Sequence, residues 1–170
     1  FLGILRFTGV CEAAGLGSFA RDTLVQIGLL SMVVAAALLL GQADYKRLLA
    51  WSSVEHMGIL AVGIGLGGSG AWGALFHAAN HSLVKAALFL CAGTILARYG
   101  SKRVDDVRGV LRASPVTGAL WVLGLFAITG APPFGTFVGE LAILRSAADR
   151  GSWVAVGVFL LALAVAFAAM

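Results

Sequence analysis

An imidazole takes a proton on one ring nitrogen and releases it from the other, and its charge changes near neutral pH. Two such groups share an apolar stretch of this chain with an amine. His77, His81 and Lys85 fall at i, i+4 and i+8 within residues 71–97, AWGALFHAANHSLVKAALFLCAGTILA, and this spacing sets all three on one face of a helix. At about 1.5 Å per residue, Lys85 lies roughly 20 Å from the start of the run. That is too deep for its stem to carry the amine to either surface of a bilayer. Ionisable groups at such depth are costly and mark ion or proton paths. The chemistry they suggest is a proton relay. The plainer alternative is a polar face that hydrogen-bonds a neighbouring helix, with Leu75, Leu83, Ala86 and Leu90 forming the apolar side.

Other chemistries find little support. HAANH, residues 77–81, lacks the glutamate of the H-E-x-x-H zinc signature. Cys11 and Cys91 are the only cysteines, too few to ligate an iron–sulfur cluster. No metal and no cofactor is expected in this chain. Residues 65–70, GLGGSG, match the dinucleotide fingerprint in letters, but that motif needs a preceding strand and a βαβ unit. Here it joins two apolar runs and reads as a flexible turn. The net charge of +4 forms no basic stripe with interleaved aromatics, so nucleic acid is not an expected partner.

The elements that must position these groups are transmembrane helices. The chain is 60% hydrophobic and 12% charged, with a mean hydropathy of +0.97, against about 25% charged residues in soluble domains. This describes an all-α polytopic bundle. Spans are expected at residues 23–43, 48–66, 71–97, 116–149 and 152–170, each long enough for the roughly 20-residue requirement or close to it. Residues 1–7 read as a helix tail, residues 8–22 as a connector, and residues 44–47 as a charged turn. With no flanking charge after residues 153–170, the chain is expected to be an internal piece of a larger membrane domain. In the first span Gln26 and Ser31 are expected to make helix contacts.

Residues 116–149 are too long for one plain span, since 34 residues would make a helix of about 50 Å across a hydrocarbon core of roughly 30 Å. The middle reads Gly130-Ala131-Pro132-Pro133-Phe134-Gly135. Pro132 and Pro133 lack N–H groups, so the helix is expected to break there. Unwound backbone survives at membrane depth only inside protein or beside a water-filled cavity, and broken helices build the sites of many transporters. Glu140 then falls in the first turns of the second half-helix, where the dipole favours a carboxylate. It is a candidate relay acid, or simply a cap for the break. The small residues Gly135 and Gly139 permit close approach of a neighbour. Glu55, in LLAWSSVEHMGILAVGIGL with Ser52, Ser53 and His56, is expected either to pair with Lys46 and Arg47 or to stand at the mouth of the path.

Residues 98–115 are the one long polar segment. Val104, Val107 and Leu111 recur at i, i+3 and i+7, which predicts a short amphipathic helix on the membrane surface. Residues 44–47 and 98–115 together hold seven basic residues, Lys46, Arg47, Arg98, Lys102, Arg103, Arg108 and Arg112. They are expected on one side, the cytoplasmic one.

Three segments, DYKRLLAWSSVEHMG (44–58), HAANHSLVKAALF (77–89) and GAPPFGTFVGE (130–140), resemble the antiporter-like, proton-conducting subunits of respiratory complex I and related membrane-bound hydrogenases and multisubunit sodium/proton antiporters. The SSVEHMG and HxxNHxxxK wording resembles hydrogenase-4 component F more than the complex I subunits. The resemblance implies two inverted five-helix repeats, each with a broken helix, of which this chain would hold the second. It places the intramembrane lysine on Lys85, its histidines on His77 and His81, and the broken-helix acid on Glu140. The implied function is proton translocation driven by a redox module in partner subunits, in a bacterial cytoplasmic membrane. The rival is a cation/proton antiporter without redox coupling, and a third reading is a structural bundle that anchors other subunits.

Overall fold

The computed structural model describes residues 1–170. It is a helical bundle with no strand, only an isolated antiparallel bridge between Asp44 and Arg103. The helices are α1 (Leu2–Ala13), α2 (Gly17–Leu39), α3 (Tyr45–Leu66), α4 (Gly68–Tyr99), the four-residue α5 (Val110–Ala113), α6 (Pro115–Ile128), α7 (Gly135–Asp149) and α8 (Trp153–Ala169). Three of them, α2, α3 and α4, are long and apolar enough to cross a membrane.

Helix α3 is the central one: 72% of its apolar window is buried, against 28% for α2 and for α4. Glycines bring its neighbours in to backbone distance. A Cβ on Gly28 of α2 would lie 2.8 Å from the Gly58 carbonyl oxygen, and one on Gly58 of α3 would lie 2.7 Å from that of Gly28. The pair is reciprocal, the small-residue packing that lipid-embedded helices rely on. Gly73 of α4 and Gly139 of α7 repeat the arrangement, each Cβ position lying 2.9 Å or 3.0 Å from the other's carbonyl oxygen. Ser31 adds a hydrogen bond from its hydroxyl to the Val54 carbonyl at 3.2 Å, again between α2 and α3. Met32, Ile59, Leu60, Val62, Ile143 and Phe159 fill the core between α2, α3, α7 and α8. Leu75, Leu83 and Leu90 are exposed on α4, on the side away from the bundle. Replacing Gly58 by Leu is expected to force α2 from α3 and to cost about 1–3 kcal/mol, read as a lowered unfolding temperature in detergent. An unchanged temperature would mean that the glycine contact carries no weight.

The expected break is present. Helix α6 ends at Ile128 and α7 begins at Gly135, with Gly130 at φ 70° and a cis peptide between Pro132 and Pro133. Other boundaries differ from the sequence reading. Most of residues 8–22 is helix rather than connector, and Gly15 at φ 77° supplies the turn that α1 and α2 need. Helix α2 accordingly starts at Gly17 and stops at Leu39, before the extended Leu40. Residues 44–47 are a helix start and not a free turn: the Asp44 carboxylate accepts from the Lys46 N–H at 2.8 Å and the Arg47 N–H at 3.1 Å, an N-cap. Between α3 and α4 only Gly67 is non-helical, so the flexible turn expected over residues 65–70 shrinks to a sharp reversal with Gly67 at φ 66° and Gly68 at φ 51°. Two consecutive glycines at positive φ, a region that side chains disfavour, reverse the chain there.

The amphipathic helix expected in residues 98–115 does not form as one element. A short 3₁₀ turn spans Val104–Asp106, Gly109 sits at φ 71°, and α5 follows. The reason lies in the backbone partners: the Val104 N–H donates to the Ala43 carbonyl at 3.0 Å, and the Tyr45 N–H to the Lys102 carbonyl at 3.1 Å. Those groups are therefore taken by the α2–α3 connection and not by a helical ladder. Val107 and Val110 pack against the cluster of Tyr45, Leu49, Leu88 and Ile128. The same pairing fixes the two basic stretches at one end of the bundle.

Candidate functional site

Helix α3 contributes Ser52, Glu55 and His56, α4 contributes His77, His81 and Lys85, and α7 contributes Thr136 and Glu140. All eight are buried, with His77 at 0%, Glu55 and His56 at 2%, Glu140 at 5% and Lys85 at 6% relative exposure. Few charged groups are so buried without partners in any protein. They also meet one another, although they come from three helices.

Lys85 reaches across to α3. Its ammonium donates to the Leu49 carbonyl at 2.6 Å and to the Ser52 hydroxyl, while the Ser52 hydroxyl donates to the same carbonyl at 3.1 Å. Glu55 lies one turn further along α3. It forms no ion pair with Lys46 or Arg47, so of the two placements expected for it, pairing with the basic helix start is excluded. Its Oε1 atom has no hydrogen-bond partner.

The histidines form a stack. His56 Nδ1 and His77 Nε2 are 2.8 Å apart, the His56 and His81 ring centroids are 4.6 Å apart, and those of His77 and His81 6.2 Å. His77 Nδ1 lies 3.1 Å from the Thr136 carbonyl oxygen. A carbonyl only accepts, so Nδ1 of His77 carries the proton, and a neutral His77 must accept at Nε2 from the His56 Nδ1–H. The direction of the chain is thus assigned by its end. Glu140 stands beside that end, with Oε1 3.9 Å from His77 Nδ1 and otherwise without a partner. His81 Nδ1 is likewise unpartnered.

The break provides the space for the acid. A Cβ on Gly130 would run into the Glu140 carboxylate, and one on Gly135 would run into the Asn80 amide, while Asn80 donates to the Phe76 carbonyl at 2.9 Å. Thr136, at the start of α7, donates from its hydroxyl to the Ala127 carbonyl near the end of α6. The two half-helices are thereby pinned together, and Pro132 and Pro133 lie in the link. A cleft of about 300 Å³ reaches Glu140 from the other side, lined by Gly130, Phe137, Leu144, Phe159 and Leu163 among others.

The sequence reading singled out five relay candidates, Lys85, His81, His77, Glu140 and Glu55, and the fold collects all of them around α3. It passed over His56, which lies between His77 and His81. The signal was available: Leu49, Ser52 and His56 recur at i, i+3 and i+7 and share the face that meets α4. Thr136 carried no signal, because its part is played by a backbone carbonyl.

Comparison with known proteins agrees with the resemblance of the three segments. The family described as "NADH:quinone oxidoreductase/Mrp antiporter, TM" matches residues 1–166. A hydrogenase-4 component F homolog of Methylacidiphilum infernorum is 38% identical over 148 residues, covering 86% of this chain and 31% of that protein. Hydrogenase-4 component B of Escherichia coli is 38% identical over 126 residues, covering 67% and 19%. Among solved structures, a chain of respiratory complex I from Thermus thermophilus superposes with a TM-score of 0.88 at 29% identity, covering 99% of this chain and 36% of that one. A chain of the Mrp complex from Dietzia does so with a TM-score of 0.84 at 26% identity, covering 91% and 30%. The chain spans about a third or less of each of these relatives.

Proposed function

Because the chain belongs to the NADH:quinone oxidoreductase/Mrp antiporter transmembrane family, we propose that it is the part of a proton-translocating membrane subunit that carries a broken helix and its relay. The subunit works in a redox-driven complex of the membrane-bound hydrogenase or NADH–quinone oxidoreductase type, in the bacterial cytoplasmic membrane. Neighbouring membrane subunits and a peripheral redox module are its partners, and electron transfer takes place in them. The observation that carries this reading is the set of buried ionisable groups from Lys85 to Glu140 that α3, α4 and α7 bring together, with His56 and His77 at hydrogen-bond distance and Glu140 3.9 Å beyond.

In the proposed path Lys85 holds or yields a proton at Nζ, with Leu49 and Ser52 orienting the amine. Glu55, one turn along α3 from Ser52, is a further buried acid of the set. His81, His56 and His77 pass the proton on, each taking it at one nitrogen and releasing it at the other. His77 cannot hand a proton to the Thr136 carbonyl. To serve Glu140 its ring must move by about 1 Å, enough to shorten 3.9 Å to hydrogen-bond length. That step is a natural gate, since a charge change in the coupled module alters which partner His77 prefers.

The antiporter reading has one specific support, the similarity to a chain of the Mrp complex. The two separate in one experiment. The complete complex, reconstituted in liposomes, is expected to take up protons in fixed ratio to the electrons its redox module passes, at any sodium gradient. Proton movement that needs a sodium gradient and ignores electron flow would replace this reading by the antiporter.

Orientation is tested separately. Val104 is half exposed in the basic segment. In a background with Cys11 and Cys91 replaced by Ala, Val104→Cys is expected to react with an impermeant maleimide in inverted vesicles and to stay unlabelled in whole cells. Labelling in whole cells would reverse the assignment.

A further inference from the structure

The chain has three histidines in 170 residues, and all three converge: one ring nitrogen each from His56, His77 and His81 lies within 4.8 Å of the others, and each residue is buried. We infer that these three side chains form a binding site for a divalent first-row transition-metal ion such as Zn²⁺ or Co²⁺. Imidazole nitrogen suits these ions. Three protein ligands with a fourth position left to water is the arrangement of open zinc sites.

Geometry supports the assignment. Zn–N bonds of about 2.0–2.1 Å in a tetrahedron put ligand nitrogens roughly 3.3 Å apart. His56 Nδ1 and His77 Nε2 stand at 2.8 Å, and the widest spacing in the set closes by about 1.5 Å to reach that figure. The tautomers are also nearly set. His77 donates from Nδ1 to the Thr136 carbonyl, the outer contact by which metal-ligating histidines are oriented, and its Nε2 lone pair faces inward. His81 Nδ1 has no partner. His56 needs only to carry its proton on Nε2 instead of Nδ1, so that the metal replaces the proton between His56 and His77. No bond is made except the coordinate ones, and neutral imidazoles bind without net proton release.

The surroundings supply the counter-charge. Two positive charges in a buried site need anions nearby. Glu55 and Glu140 are both buried, each with Oε1 unpartnered, and Glu140 Oε1 is 3.9 Å from His77 Nδ1. The one cation close by, Lys85, is held to α3 by Leu49 and Ser52. A bound ion takes up the lone pairs through which a proton would pass, so it stops proton flow. That consequence, unlike the site itself, rests on the relay reading.

The test uses the full-length protein in lipid nanodiscs, titrated with Co²⁺ alone. The expected result is the intense visible d–d absorption of tetrahedral cobalt, saturating at one ion per histidine triad and removed by Zn²⁺. His56→Gln, His77→Gln and His81→Gln are each expected to lower the affinity by at least about tenfold. His56→Cys keeps three ligands and adds a thiolate-to-cobalt charge-transfer band, a readout that a merely misfolded variant does not give. Absence of the tetrahedral spectrum, a spectrum unchanged in all three Gln variants, or a bound His56→Cys protein without the thiolate band would each overturn the site. Proton uptake in liposomes read with and without Zn²⁺ keeps the two ideas apart. Cobalt binding at the triad with undiminished proton uptake would leave the metal site standing and remove the histidines from the path.

Discussion

Lys85→Ala is expected to leave the complex assembled while proton uptake per electron falls by the contribution of this subunit, with flux through its path down by about 10²-fold or more, the scale of losing a positioned proton-transfer group. Assembly survives because of what Lys85 leaves behind. Its main acceptor, the Leu49 carbonyl, still receives the Ser52 and Ser53 hydroxyls, each at 3.1 Å. Loss of a buried hydrogen bond costs about 1–3 kcal/mol when a partner is stranded, and here none is. Lys85→Arg sharpens the case. Arginine keeps the charge and the hydrogen-bonding capacity but does not release its proton in proteins, so the variant is expected to assemble and to conduct as poorly as Lys85→Ala. The measurement is proton uptake beside the redox rate in reconstituted liposomes, with subunit content checked after purification. If the arginine variant pumps at the normal ratio, Lys85 is a packing group and the relay assignment fails.

How much of this was legible beforehand depended on whether a feature was local. The helix break was, because two adjacent prolines between glycines act on their own backbone whatever surrounds them. The shared face of His77, His81 and Lys85 was local too, fixed by the helical period. Helix ends were less readable: short links at Ala14–Leu16 and at Gly67 reverse the chain on glycines at positive φ, so the connectors shrink and α2 and α4 extend into segments rich in glycine and alanine. Residues 98–115 showed a period that suits a helix, yet their N–H and C=O groups at Lys102 and Val104 are claimed by Ala43 and Tyr45, about 60 residues away. No local pattern carries that information. His56 illustrates the same limit from the other side. Its face was visible, but that the face meets His77 and His81 depends on the close approach of α3 and α4, set by contacts such as Gly63 to Gly70.

Glu140→Gln is expected to preserve the bundle and to remove proton transfer past the break. Glutamine matches the carboxylate in shape, so it still fills the space left by Gly130, whose missing Cβ is what admits the acid. It also keeps an oxygen that His77 Nδ1–H can approach from 3.9 Å. What it lacks is the capacity to bind and release a proton. A structural Glu140, whose work is to cap the start of α7, predicts a different outcome, because an amide oxygen accepts much as a carboxylate does and only the interaction with the helix dipole, about 0.3–1 kcal/mol, is lost. The relay reading therefore expects an unfolding temperature close to that of the parent, with flux through this path down by about 10²-fold, while Glu140→Asp, which keeps the titratable group on a shorter stem, recovers part of it. Proton uptake and redox rate measured together on both variants decide the matter: full uptake in Glu140→Gln would show that the buried acid holds the break in place and carries no proton.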